Sequence, residues 1–383
     1  MRLLLVTHYY STHRGGVEIV AGTLATLLGS AGFAVDWLAS DCDPAPPAAK
    51  GVRCVPMASW NGIERASGIP YPLWAPRSLG RLRQAVCECD AVHLHDALYM
   101  GSAAAFAFAR RERKPVLVTQ HAGDPAGGGL VSPLVSFLNR TLARSVLARA
   151  DQVFFVSPAV QAYFSAFVPF RAPPRHVANG VDAGVFAFAD AERSRALRAA
   201  AGRDPLRPLC LFVGRFIESK GLRLLLALAR AFPETDWIFA GHGPLPPEEE
   251  RLPNAAVVRG ASGEAIAALY RMADLVLLPS RREGFPLVIQ EALACGTPVL
   301  VSEEAAAGSP AMAPLMFVES VRGADALARW RTRLAALLAQ RGELDAMRGR
   351  LAEAARREWS WARTAELYGA TLRRLVEKPP LSG

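Results

Sequence analysis

A chain of 383 residues exceeds one ordinary core and favours two domains of roughly 100 to 200 residues each. With 51% hydrophobic residues it is not a disordered polypeptide. The formal charge of +9 does not single out nucleic acid as a partner, because the excess is spread: 15 basic and 11 acidic residues lie before 168, and 29 and 24 after it.

The first apolar run, Met1 to Thr7, is far shorter than the hydrophobic region of a signal peptide and reads as a buried strand over 2–7. Helix 16–31, strand 33–38, helix 78–88, strand 91–95, helix 98–111, strand 115–119, helix 133–149, strand 152–156 and a short helix near 158–165 follow. The proline-rich stretch Val168 to Pro174 ends the first domain near 170. Asn179-Gly180-Val181-Asp182 has the composition of a turn and suits a hinge. A second alternation comprises strand 209–213, helix 221–231, strands 236–240 and 256–258, helix 263–271, strand 274–278, helix 286–295 and strand 298–302. Helices occupy most of 323–377.

Such alternation predicts an α/β protein of two doubly wound, Rossmann-like domains facing a cleft. Ligands of such sheets gather at the carboxyl ends of the strands, so polar motifs there matter most. No segment reaches about 18 uninterrupted apolar residues, so no bilayer span is expected. Cys42, Cys54, Cys87, Cys89, Cys210 and Cys295 form neither a C-x-x-C pair nor a zinc spacing, which fits reduced thiols in the cytoplasm.

The strongest local signal is Glu283-Gly284-Phe285-Pro286-Leu287-Val288-Ile289-Gln290-Glu291. Pro286 suits the first turn of a helix whose free N–H groups face the strand ends. At about 1.5 Å rise per residue the two carboxylates stand roughly 10 Å apart, within reach of one ligand with hydroxyls at both ends. Two solvated glutamates at a helix start remain the alternative on these residues alone.

Gly214-Arg215-Phe216-Ile217-Glu218-Ser219-Lys220-Gly221 lies between an apolar strand and a leucine-rich helix. A guanidinium and an ammonium there would neutralise a diphosphate and stabilise it as a leaving group; a surface turn with two solvated cations is the plainer alternative. The P-loop spacing is absent, which removes the main support for an ATPase. Gly15-Gly16, after the first strand, would let backbone approach phosphate, but two glycines alone are a weak signal. Polar groups close two more strands, at His93-Leu94-His95-Asp96 and at Thr119-Gln120-His121-Ala122-Gly123-Asp124. His121 and Asp124 are expected to face the cleft, and strand alternation explains the His-x-His-Asp run more cheaply than a metal site.

Taken in order, these elements resemble the family-4 retaining glycosyltransferases of the GT-B fold (glycosyl transferases group 1). Gly241-His242-Gly243-Pro244 and Ala273-Asp274 to Ser280 extend the match. The resemblance implies that Gly15, Gly16 and Gly214 lie at the donor phosphates and that Arg215 and Lys220 bind the diphosphate. It places Glu283, with the backbone of Gly284, Phe285, Pro286 and Leu287, at the donor-sugar hydroxyls, and Glu291 at the ribose. His121 would stand near the transferred sugar. The catalytic set is then His121, Arg215, Lys220 and Glu283, with no metal and no cofactor. Residues 1–170 would form the acceptor-side domain and 171–359 the donor domain. The segment Trp359-Ser360-Trp361 and the helix after it look like the crossing back to the first domain, over 360–383. Where the family often carries Gly-Gly after the strand 298–302, this chain has Glu303-Glu304-Ala305-Ala306-Ala307-Gly308.

The implied reaction moves a hexose-type sugar from a nucleotide diphosphate sugar to a glycan or lipid-linked acceptor, with retention, in polysaccharide or glycoconjugate synthesis. A nucleotide-sugar epimerase of similar fold and a catalytically silent binding subunit are the rivals. Peripheral contact with the inner face of the cytoplasmic membrane is a further expectation. Leu130, Val131, Leu134, Val135, Phe137, Leu138, Leu142, Val146 and Leu147 accompany Arg140, Arg144 and Arg149, and a basic amphipathic helix can lie in a lipid interface. A core-packing helix with a solvated arginine face is the alternative.

Overall fold

The runs at 91–95 and 116–120 are buried from end to end, as strands covered on both faces of a parallel sheet must be. They belong to a computed structural model that describes the chain apart from residues 14, 68–69, 124–131, 282–286 and 378–383. Two units result, Met1–Asn179 with Trp361–Gly383, and Gly180–Ser360.

The first unit contains β1 (Arg2–Val6), β2 (Ala34–Ser40), β3 (Val52–Met57), β4 (Ser59–Trp60), β5 (Leu73–Trp74), β6 (Ala91–His95), β7 (Val116–Gln120), β8 (Gln152–Phe155) and β9 (Arg175–His176). Seven of these form a parallel sheet in the order β3-β2-β1-β6-β7-β8-β9, and β4 and β5 make a separate antiparallel pair. Successive residues of β1 serve opposite cores. Leu4 and Val6 join Leu94, Val118 and Phe155, while Leu3 and Leu5 join Trp37 and Phe154. The helix Trp361–Glu377 packs on this second face, placing Tyr368 and Leu372 in that core.

The domain boundary expected near 170 moves to Asn179, because β9 adds to the edge of the first sheet by pairing with β8. The strand β3 was not expected: Arg53 and Pro56 interrupt its apolar pattern, which a sheet edge tolerates. The single helix expected over 133–149 is three pieces, Ser132–Leu138, a π-helical turn Asn139–Ala143 and Arg144–Arg149. Ala143, Val146 and Leu147 from this segment lie in the core, so only Leu134 and Phe137 remain as large exposed apolar groups there. Leu130 and Val131 lie outside the described residues.

The second unit contains β10 (Leu209–Val213), β11 (Asp236–Ala240), β12 (Ala255–Val258), β13 (Leu275–Leu278), β14 (Val299–Ser302) and β15 (Phe317–Glu319), in the order β12-β11-β10-β13-β14-β15. Each pairing is parallel. The segment at 303–308, divergent from the family pattern, starts a short helix Glu303–Ala307 whose N-cap Ser302 accepts from the Ala305 N–H. In each main sheet the winding direction reverses once, between β1 and β6 and between β10 and β13. Those are the switch points at which open α/β sheets bind ligands.

Candidate active site

Three loops interlock at the carboxyl ends of β10, β11 and β13. Gly214, Gly221, Gly241 and Gly243 all have positive φ, from 73° to 156°. A Cβ at Gly241 would strike the Gly214 carbonyl, one at Gly243 would strike the Phe216 backbone, and one at Gly221 would strike the Pro279 carbonyl. Glycine is therefore required both by conformation and by close approach. The Arg281 N–H donates to the Ser219 carbonyl at 2.9 Å, and the Phe216 N–H to the His242 carbonyl at 2.7 Å. These contacts bring the turn bearing Arg215 and Lys220 against the loop that leads to Glu291.

Arg215 is exposed and Lys220 half-buried, the latter ending a short 3₁₀ turn Glu218–Lys220. The helix Leu287–Ala294 carries Glu291 on its second turn, and the Tyr270 hydroxyl donates to Glu291 Oε2 at 2.7 Å. Burial pushes the Glu291 carboxyl up to about 7, against the opposing effect of the Tyr270 hydrogen bond. Glu283, Gly284, Phe285 and Pro286 lie outside the described residues.

At the switch point of the first unit, Gly15 is the N-cap of the helix Gly16–Ser30, in an extended conformation. A Cβ on Gly15 would collide with the Glu18 carboxylate, so this glycine makes room for Glu18 to reach back to His8. His8 Nε2 lies 2.7 Å from Glu18 Oε1, both side chains 3% exposed, and its ring stacks on Tyr99 at 3.7 Å. Burial alone would raise the Glu18 carboxyl, but its hydrogen bond and charge interaction with His8 outweigh burial and hold it below its ordinary value.

His121 follows β7 and is half-buried. Its Nε2 lies 2.9 Å from Nδ1 of buried His95. Asp96, with φ 60°, accepts the backbone N–H groups of His121 and Ala122 at 2.7 and 3.2 Å. His93 Nε2 bonds Thr119 Oγ1 at 2.8 Å, and that hydroxyl meets Tyr368 at 3.0 Å. The His-x-His-Asp run is thus spent on internal hydrogen bonds. Asp124 lies outside the described residues.

With these half-sites in view, the chain matches two family models, Glycosyltransferase Family 4 over residues 14–185 and Glycosyl transferases group 1 over 207–329. It belongs to the family-4, group 1 glycosyltransferases. A relative, the D-inositol 3-phosphate glycosyltransferase of Segniliparus rotundus, is 29% identical over 399 residues, covering 94% of this chain and 85% of that protein. The GT-B fold is shared with sucrose-phosphate synthase from Thermosynechococcus elongatus, with TM-score 0.77, 20% identity and 98% and 99% of the two chains covered. It is shared also with Anabaena HepE, solved in complex with UDP-glucose, with TM-score 0.70, 17% identity and 98% and 100% covered.

In this glycosyltransferase, Gly214, Arg215, Lys220, Leu287 and Glu291 all belong to the second unit, and Gly15, Gly16 and His121 belong to the first. Sequence reasoning passed over His8, Glu18, Tyr99 and Tyr270. The polar pair His8-Tyr9 closing an apolar strand was a usable signal for the first of these; Tyr270, on a helix 21 positions before Glu291, offered none.

The raised Glu291 carboxyl makes a pH prediction with a definite sign. The folded state holds a proton that the unfolded chain releases above its ordinary value of 4.5, so stability due to this group is greatest below 4.5 and is lost as pH rises through about 7. Relative to Glu291→Gln, the wild-type glycosyltransferase should lose thermal stability between those limits. A parallel pH dependence of the two melting temperatures would contradict the assignment.

Proposed function

We propose that this glycosyltransferase moves a hexose-type sugar from a nucleotide diphosphate sugar to a glycan or lipid-linked acceptor, with retention of configuration and without a metal ion. The observation that supports the reading is the interlocked switch point of the second unit, where the turn bearing Arg215 and Lys220 is tied at Ser219 and Gly221 to the start of the loop after β13. Two cations suit a diphosphate, and a carboxylate on the helix after β13 suits a ribose diol. HepE, solved with UDP-glucose, supports the donor class, and the Segniliparus relative, named for D-inositol 3-phosphate, supports transfer to a hydroxyl-bearing acceptor.

As the bond from the anomeric carbon to the phosphate oxygen breaks, Arg215 and Lys220 stabilise the departing diphosphate. The acceptor hydroxyl bonds to that carbon on the same face, and its proton passes to the leaving phosphate oxygen. His121, Glu283 and the backbone from Gly284 to Leu287 attend the transferred sugar, and Gly15, Gly16 and Gly214 the phosphates. A panel of nucleotide sugars in thermal-shift titrations identifies the donor, since a ligand of the native state stabilises it by mass action. NMR of the product then gives the anomeric configuration. Stabilisation by no nucleotide sugar ends the donor assignment, and an inverted product ends retention.

We place the enzyme at the cytoplasmic face of the membrane. No helix among the described residues is long and apolar enough to cross a bilayer. Leu134 and Phe137 are 57% and 62% exposed beside exposed Arg140 and Arg144, a pairing that suits an anionic lipid surface. Co-sedimentation with phosphatidylglycerol vesicles should fall in salt and in the double variant Leu134→Ser with Phe137→Ser. Equal sedimentation with neutral vesicles would rule out the electrostatic part.

A further inference from the structure

Two consecutive residues at the end of β6 grip His121 from two directions. Asp96 takes its backbone N–H and that of Ala122, and does so from a left-handed conformation that non-glycine residues seldom adopt. His95 takes its ring, Nδ1 against Nε2 at 2.9 Å. His95 is fully buried, and its other nitrogen, Nε2, has no hydrogen-bond partner among the described residues. His121 as a residue is half-buried, and Nδ1 is the ring nitrogen that His95 does not hold.

A bond between two imidazoles needs one donor and one acceptor, and burial lowers the pKa of both rings, so both are neutral at physiological pH. Two arrangements are open. If His121 donated, His95 would carry its own proton on Nε2, a buried N–H with no acceptor among the described residues. If His95 donates, its Nε2 is instead an unused lone pair. Orphaned buried donors are rarer than under-used acceptors, and the second arrangement wins. The proton of His121 then sits on Nδ1, the nitrogen away from His95.

We propose that His95 is a positioning residue that locks His121 as the Nδ1–H tautomer, so that His121 meets the donor sugar as a neutral hydrogen-bond donor to an oxygen and cannot serve as a base. The location of the sugar rests on the function proposed above; the tautomer does not. An imidazole whose outward nitrogen already holds a proton has no lone pair there, and the acceptor hydroxyl must send its proton elsewhere. Transfer to the leaving phosphate oxygen fits that constraint.

Long-range proton–nitrogen correlation spectra of the ¹⁵N-labelled full chain test this without any substrate, since each of the seven histidines gives a tautomer-specific pattern and His121→Gln assigns the signal. The wild type should show His121 protonated on Nδ1. His95→Leu should release His121 to the opposite tautomer, while His95→Asn, whose amide N–H replaces the lost donor, should keep it on Nδ1. In sugar transfer, His95→Leu should lower kcat about tenfold with the KM for donor changed less, and His95→Asn should recover most of it. A His121 proton on Nε2 in the wild type overturns the proposal, and that spectrum decides even if His95→Leu does not fold. Unchanged tautomer and turnover in a folded His95→Leu overturn it equally. A mistaken donor assignment would leave the spectra as they are.

Discussion

Arg215→Ala and Lys220→Ala are each expected to lower turnover on the order of a hundredfold, about 3 kcal/mol, while weakening donor binding much less. The reason is where charge develops. A nucleotide diphosphate carries its negative charge in the ground state, but the bridging oxygen acquires more as the glycosidic bond lengthens. A cation fixed beside that oxygen therefore acts most strongly in the transition state. The fixing is visible in the second unit. Gly221 is pressed on the Pro279 carbonyl and Ser219 is tied to Arg281, so the turn that carries both cations is braced by its neighbour after β13.

Glu291→Gln provides the contrast. A ribose contact exists in ground and transition states alike, so this change should raise the KM for donor and leave kcat largely intact. Steady-state kinetics with the identified donor and acceptor, beside direct titration of the nucleoside diphosphate, separate the two behaviours. Turnover near wild type in both cation variants would remove the leaving-group assignment while leaving fold and family untouched.

The second unit's candidate site was legible because its signals are local. Glycines bracket the cations, and Glu291 falls on the helix that follows the motif's glycine and proline. The first unit's site was less so, because its contacts are set by strand register. His95 pairs opposite Thr119 in the sheet, which places His121 just beyond the pairing, and no spacing within either motif reveals that meeting. Tyr270 reaches Glu291 for the same kind of reason, from a different helix. Arginines were the other blind spot. Arg198 and Arg348 are each 1% exposed, yet each sits in a helix whose polar pattern reads as a solvated face. Arg348 donates to the carbonyls of Ala189, Ala273 and Arg271, a set of acceptors contributed by backbone and so invisible in side-chain sequence.

Asp274→Ala is expected to cost the second unit about 3 to 5 kcal/mol, the largest stability loss we predict for a single substitution in this chain. Asp274 is 4% exposed and precedes β13. One carboxylate oxygen accepts from Arg198 Nη2 at 2.6 Å, and the other accepts the Leu209 N–H at 2.7 Å, at the start of β10; Arg341 adds a longer contact at 3.3 Å. Removing it strands a buried guanidinium and a buried backbone donor together, and the remaining carbonyl contacts of Arg198, to Met272 at 2.5 Å and Arg207 at 3.2 Å, carry no compensating charge. For a unit of this size, the midpoint of thermal unfolding should fall by on the order of 10 °C. Asp274→Asn keeps an acceptor and loses the charge, so it should fall between. Arg341→Ala removes a partly exposed partner and should cost well under about 1 kcal/mol. Because two units can melt separately, the transition must be followed by probes in each, and only that of the second should move. A midpoint for Asp274→Ala within about 1 °C of wild type would show that the carboxylate is not what holds Arg198 in place. The prediction also bears on activity: Asp274 clasps the amino ends of β10 and β13, and the carboxyl ends of the same two strands carry Arg215, Lys220 and Glu291. A folded Asp274→Asn enzyme should therefore bind nucleoside diphosphate more weakly although the substituted residue lies at the far end of the sheet from the cations.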